Sequence, residues 1–304
     1  MGVRESTRGY ESWLARTVPV VEGDLDLKHR LMAADAFSFL RATFYRWAQL
    51  WPEVCGELAR APVVLAVGDL HVENFGTWRD AEGRLIWGIN DFDETANLPY
   101  TQDLVRLATS VLLAIEEERL LLSARRACAA ILEGYTESLR NGGGAAVLAE
   151  RYRWLRDLAI ARLKDQRPFW NHLRALPNAP AHWQPHARRL LKRSLPVRGL
   201  AVRFVHRQAG AGSLGRVRLV ALAEWHGGMI AREAKPLAPS AWLWAHGPRL
   251  MPPRYREIIA RAVRGLIPSS VSTANGSSGV LRPMAAASSS RACLATATRI
   301  ACCG

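Results

Sequence analysis

Asp69 and Asn74 stand five positions apart in Gly68-Asp69-Leu70-His71-Val72-Glu73-Asn74, and Asp91 and Asp93 follow in Ile89-Asn90-Asp91-Phe92-Asp93-Glu94. These are the side-chain types that phosphoryl transfer from a magnesium nucleotide requires. One carboxylate must orient an attacking hydroxyl, while an amide oxygen and another carboxylate hold the metal. On that assignment Asp69 orients the hydroxyl, Asn74 and Asp91 hold Mg2+, and Asp93 adds a second metal contact or stays structural. Either segment alone also has an ordinary explanation, because short Asp and Asn motifs in loops bond their own backbone. The ordered pair is the more specific signal.

Something must bring the two segments together. Val63-Val64-Leu65-Ala66-Val67 is a β-branched run that reads as a buried strand ending at Gly68. Phe75–Trp78 and Arg84–Ile89 read as two further strands, joined by the polar, Gly-ended turn Arg79-Asp80-Ala81-Glu82-Gly83. A hairpin there returns the chain to its starting point and sets Asn74 beside Asp91. Apolar residues at Leu104, Leu107, Ala108, Val111, Leu112 and Ile115 then follow helical spacing, which places Asp103 in the first turn of an amphipathic helix. A carboxylate there suits the helix dipole and is in a position to brace the loop that carries Asp69.

A second cluster lies far downstream. Gly210-Ala211-Gly212-Ser213-Leu214-Gly215-Arg216-Val217 is a Gly-x-Gly-x-x-Gly run, a pattern shared with dinucleotide-binding folds and weak by itself. Its flanks discriminate. A dinucleotide fingerprint opens a helix, whereas Val202–Val205 before the run and Val217–Val220 after it alternate as strands do. Strand, glycine loop, strand is the arrangement of a flap that covers phosphates, with Gly210, Gly212, Ser213 and Gly215 as its contacts. Met229–Lys235 reads as a third strand ending on Lys235, one of only four lysines in the chain. A compact ammonium suits pairing with the phosphates, and Glu257, on a helical stretch near residues 255–263, is the expected ion-pair partner of Lys235.

Together these residues resemble the protein-kinase-like superfamily, in the branch of aminoglycoside and choline phosphotransferases. Gly68 through Asn74 resembles the catalytic loop of that superfamily, and Asp91-Phe92 its metal-binding Asp. The chain is more closely similar to the bacterial domain-of-unknown-function family 2252, through Asp35–Arg41, Gly68–Gly76, Asn90–Thr95, Asp103–Leu107, Gly210–Gly215 and Glu233-Ala234-Lys235. The resemblance implies an α+β, kinase-like two-lobed fold that uses ATP and Mg2+. The order differs from ordinary kinases, since the glycine loop and lysine follow the catalytic loop, so the small lobe comes after the helical large lobe in permuted order. Asp69-Leu70-His71 also resembles the metal-binding Asp-x-His of metallophosphoesterases. That chemistry needs further histidines, and no later Gly-His-x-His run supplies them, so His71 is expected to be a buried scaffold residue.

The remaining sequence divides into regions. Residues 1–195 read as the large lobe, with helices expected over 104–122, 124–139 and 145–164; residues 196–265 read as the small β-rich lobe. Residues 266–304 are rich in Ser, Ala, Thr and Gly and are expected to be disordered, an aberrant end that resembles a truncated or frameshifted terminus. The net charge of +14 over 304 residues invites a nucleic-acid reading, but the arginines are scattered among acidic residues and form no stripe. A generally basic surface for anionic nucleotides is the expectation, with a small hydroxyl-bearing molecule as partner, no specific nucleic acid and no membrane. Five cysteines without a Cys-x-x-Cys pair, and no apolar signal segment in the first thirty residues, point to a cytoplasmic setting. Two other classes stay open on the sequence: a pseudokinase-like binding protein and a nucleotidyl transferase moving AMP.

Overall fold

Four helices open the chain: α1 (Val3–Ala15), α2 (Glu22–Ala34), α3 (Ala36–Ala42) and α4 (Phe44–Val54). The structure, a computed structural model, describes residues 1–163, 165–247, 252–262 and 279–283. Asp35 separates α2 from α3 and caps the latter, its carboxylate accepting from the Ser38 N–H at 2.6 Å and the Ser38 hydroxyl at 2.7 Å. Tyr10 and Leu14 of α1 pack with Phe44 and Tyr45 of α4, and Ala241 from much later in the chain completes that core.

The strand pairings follow the apolar runs. β1 (Val63–Ala66) pairs antiparallel with β4 (Ala96–Pro99), while β2 (Phe75–Arg79) and β3 (Leu85–Ile89) form the expected hairpin. Asp80 holds the hairpin turn, its carboxylate accepting from the backbone N–H groups of Glu82 and Arg84 at 3.1 and 2.9 Å. Phe75 opposes Ile89, and one step beyond, the Asn90 N–H donates to the Asn74 carbonyl at 2.9 Å. The ladder thereby fixes Asn74 beside Asp91.

Helices α5 (Tyr100–Glu117) and α6 (Ala124–Arg140) follow, α5 starting four residues earlier than expected. The single helix expected over 145–164 is not there. β5 (Ala146–Val147) adds to β3 instead, and the helical stretch is split into α7 (Leu148–Arg151) and α8 (Arg153–Leu163). Pairing of Val147 with Ile86 outweighs helical propensity at that point, and Tyr152 leaves helical geometry at φ −133 and ψ 62.

The second half builds on one antiparallel sheet in the order β6 (Arg203–His206), β7 (Leu219–Trp225), β8 (Gly228–Pro236) and β9 (Gly279–Pro283), with α9 (Arg167–Ala175) and α10 (Pro185–Arg193) preceding it. Leu219 to Ala223 are buried without a break, because both faces of the sheet are covered. Leu191 of α10 meets Leu219, Ala221 and Ala234 on one face; Leu173 of α9 meets Val205, Val220 and Leu222 on the other. The sheet's packed unit thus begins near Arg167, and the boundary expected at 195/196 cuts through it. The expected structureless tail supplies β9; the rest of residues 266–304 lies outside the described residues. α11 (Ala241–His246) and α12 (Tyr255–Arg261) return to the first half, where Tyr255 and Ile258 pack on Phe92. Among the described residues no helix is long and apolar enough to cross a membrane. The architecture is mixed helix and sheet, as the α+β reading expects.

Candidate active site

The loop from Val67 to Asn74 is held in shape by one face of α5. Asp103 accepts the N–H groups of Val67 and Gly68 at 2.8 and 2.9 Å, and Gln102 donates its amide to the Gly68 carbonyl at 2.9 Å. Arg106, one turn along, donates to Asp69 Oδ1 at 2.6 Å from Nε and at 2.5 Å from Nη2. One turn further, the Ser110 hydroxyl accepts the Val72 N–H at 3.1 Å. Positions 103, 106 and 110 share a face by helical geometry, so a polar stripe on an otherwise apolar helix reads out the loop. The bracing expected of Asp103 is therefore present. Its carboxyl is pushed up to about 6 by burial, against the lowering pull of the two backbone donors and Arg106.

Gly68 turns the chain at φ +90, and a Cβ there would stand 2.2 Å from the Glu94 carbonyl, so only glycine fits. Next to it Asp69 has one oxygen committed to Arg106. Burial raises its carboxyl pKa above the ordinary value, opposed by the Arg106 guanidinium. Arg106 itself is fully buried, donates to the Leu40 carbonyl at 2.7 Å, and lies 5.0 Å from the ring centres of Phe44 and Trp47. His71 is buried as expected and packs edge-on against Phe37, but its Nδ1 has no hydrogen-bond partner among the described residues. Burial, with Arg41 next, holds its imidazole well below the usual range and hence neutral. The Asn74 amide oxygen accepts the His71 N–H at 2.7 Å and has a second lone pair to offer.

Asp91 and Asp93 meet Lys235. The Lys235 ammonium lies 2.5 Å from Asp93 Oδ2 and 3.4 Å from Asp91 Oδ1. Asp93 Oδ1 is buried and has no hydrogen-bond partner among the described residues. The partner expected for Lys235 was Glu257, and the structure corrects this: Glu257 pairs with Arg254 at 2.6 Å and Arg261 at 3.1 Å along its own helix. A helix-face pattern of i, i+3 and i+4 charges accounts for Glu257 fully. Among the described residues no group of three or more His, Cys, Asp or Glu is arranged to hold a metal. The oxygen donors on hand are two carboxylates and the Asn74 amide, a set that suits a hard cation such as Mg2+, and the orphaned Asp93 oxygen is what a cation would satisfy.

The glycine loop closes over this floor. A Cβ at Gly212 would stand 3.5 Å from Asp69 Oδ2 and 2.9 Å from the Arg41 carbonyl, so the bare backbone lets the loop approach the Asp69 carboxylate. Gly210, Gly212 and Ser213 line one cleft, partly open to solvent, with Asp69, His71, Asn74, Asp91 and Asp93. Gly215 does not face the cleft as expected. Its φ is +95, and a Cβ would stand 2.5 Å from Leu25 Cδ2, so this glycine serves the packing of the loop on α2.

Several residues escaped the sequence reading: Arg41, Glu94, Arg216 and Lys28, which line the cleft, and Arg106, which holds Asp69. Arg106 had a visible signal, a lone arginine within an apolar helix one turn after Asp103. Glu94 bonds the Ala241 N–H at 2.6 Å and Arg216 at 3.1 Å, joining the acidic segment to α11 and to the end of the glycine loop. Burial raises its carboxyl pKa against the pull of Arg216. No local pattern announces such a pair, because its members are more than a hundred residues apart in sequence.

No curated protein and no solved structure matches the chain. The family model described as "Uncharacterized protein conserved in bacteria (DUF2252)" matches residues 20–171, which takes in the loop of Asp69 and Asn74, the Asp91–Asp93 segment and the bracing face of α5. That match covers half of the sequence, and the chain belongs to this bacterial family.

Proposed function

We propose that the protein is a kinase-like, two-lobed phosphotransferase that moves the γ-phosphate of Mg-ATP to a hydroxyl of a small molecule. The observation that carries this reading is the single cleft shared by two stretches far apart in sequence, with Gly212 against Asp69 and Lys235 against Asp91 and Asp93. Asp69, oriented by Arg106, accepts the hydrogen bond of the attacking hydroxyl. Asn74, Asp91 and Asp93 would hold Mg2+, which supplies charge neutralisation at the phosphates. The backbone of Gly210 and Gly212 and the Ser213 hydroxyl cover the phosphates, and Lys235 pairs with them once a cation takes its place on the carboxylates. The small lobe follows the large one in the chain, an order that a permuted kinase-like fold accommodates.

One observation favours a second reading, a nucleotide-binding protein without turnover: Lys235 is already paired with Asp93 and Asp91, so two of the cleft's acids are engaged within the protein. Product analysis separates these. Incubation with Mg2+, ATP labelled at the α- and γ-phosphates and a panel of small alcohols and amino sugars is expected to give ADP and a γ-labelled acceptor. Pyrophosphate would instead mean AMP transfer, and saturable ATP binding with neither product would mean a binding protein.

A further inference from the structure

Among the described residues three cations line the cleft, and two of them are spoken for: Arg41 pairs with Glu73 at 2.5 Å and Arg216 with Glu94 at 3.1 Å. The third is Lys28 of α2. Its side chain is 1% exposed, and its ammonium lies 5.7 Å from the ring centre of Tyr10 and 5.6 Å from that of Tyr45. Among the described residues it makes no ion pair and no hydrogen bond. Lys235, equally buried, contrasts with it in having two carboxylates. Withdrawing an ammonium from water without a counter-ion is costly, and two aromatic faces offset only part of that. Burial pushes the Lys28 ammonium down to about 8, with the Arg216 charge acting in the same direction and the charges of Glu11, Glu94 and Asp69 opposing it.

We propose that Lys28 is an anion-binding residue of this cleft, its ammonium taking a phosphate oxygen of the bound ligand. This rests on reading the cleft as a phosphate-handling site, and it adds a phosphate contact on the α2 wall that no glycine-loop residue supplies. Phosphate is the chemistry recognised, whether it belongs to the nucleotide or to an acceptor.

The test titrates the full chain and its K28M, K28Q and K28R variants calorimetrically with Mg-ATP, tripolyphosphate and inorganic phosphate. The neutral variants are expected to lose about ten- to a hundredfold in affinity for the phosphate ligand that wild type binds, and K28R less. A loss for tripolyphosphate and Mg-ATP assigns Lys28 to the nucleotide; a loss for inorganic phosphate alone assigns it to an acceptor phosphate. Neutral variants that bind all three as tightly as wild type overturn the proposal, and so does a wild type that binds none. The two readings fail separately. Lys28-dependent binding of tripolyphosphate without any binding of Mg-ATP keeps this inference and rejects the ATP phosphotransferase, whereas Mg-ATP turnover indifferent to Lys28 does the reverse. Lysine-selective NMR covers the case in which the neutral variants do not fold. With only four lysines in the chain, the Lys28 signal, assigned by its loss in K28R, must move on saturation with tripolyphosphate. A Lys28 signal that stays put overturns the proposal.

Discussion

At the scale of single residues, the account turns on Asp69 and the arginine that holds it. Arg106 engages one carboxylate oxygen and leaves Oδ2 turned toward Gly212 across the cleft. An orienting carboxylate acts on the hydroxyl rather than on the nucleotide, so Asp69→Ala is expected to lower phosphotransfer at least a thousandfold, on the order of 4 kcal/mol in the barrier. The dissociation constant for Mg-ATP should stay within about twofold of wild type. Single-turnover rates and equilibrium titration check the two halves; equal turnover by the variant rejects the role. Arg106→Met tests the support. It leaves the half-buried Asp69 without its counter-ion, and urea unfolding should show a loss of roughly 2 kcal/mol. The types and spacing of Asp69, Asn74, Asp91 and Asp93 were legible in the sequence because they stand in short contiguous runs. Arg106, Lys28 and the true partners of Lys235 were not, because each is defined by what stands opposite it in space.

At the scale of elements, the legible features were those with local periodicity or turn chemistry. The β2–β3 hairpin followed from apolar runs around a Gly-ended turn, and the strand reading on both sides of the glycine run is met by β6 and β7. The failures share a cause. The helix expected over 145–164 lost two residues to pairing with β3, and α9 and α10 were separated from the sheet they cover because amphipathic helices do not state which face they will meet. The sheet carries one internal ionic clasp: Glu233 of β8 receives Arg218 at 2.6 Å and Arg207 at 2.8 Å, on either side of the glycine loop. Burial would raise the Glu233 carboxyl, but Arg218 and Arg207 outweigh it and hold it at about 2, below its ordinary 4.5. A depressed folded-state value adds stability above pH 4.5 that is lost as pH falls toward 2, on the order of 3 kcal/mol for this group. Chemical denaturation across pH 2 to 6 should therefore show a shallower acid dependence in Glu233→Gln than in wild type. Parallel acid profiles for the two proteins would contradict the clasp.

At the scale of the whole molecule, the helices of the first half and the sheet of the second are joined through the cleft and by further contacts outside it. Asp24 of α2 is buried and accepts from Gln208 at 2.7 Å, with His206 Nε2 at 3.0 Å, which ties the N-terminal helices to the sheet. Ala241 and Tyr255, after the sheet, pack back on the first half. Composition and charge gave little of this, since a +14 chain is compatible with many partners. What the sequence did offer was the expectation that two stretches about 140 residues apart converge, and the cleft has both on its walls. The central claim is that a single Mg-nucleotide engages both. Hydrogen–deuterium exchange of the full chain with and without saturating Mg-ATP measures this directly. The account predicts slowed amide exchange in peptides spanning residues 67–74 and 208–216 together; protection of only one of them, or of neither, would contradict it.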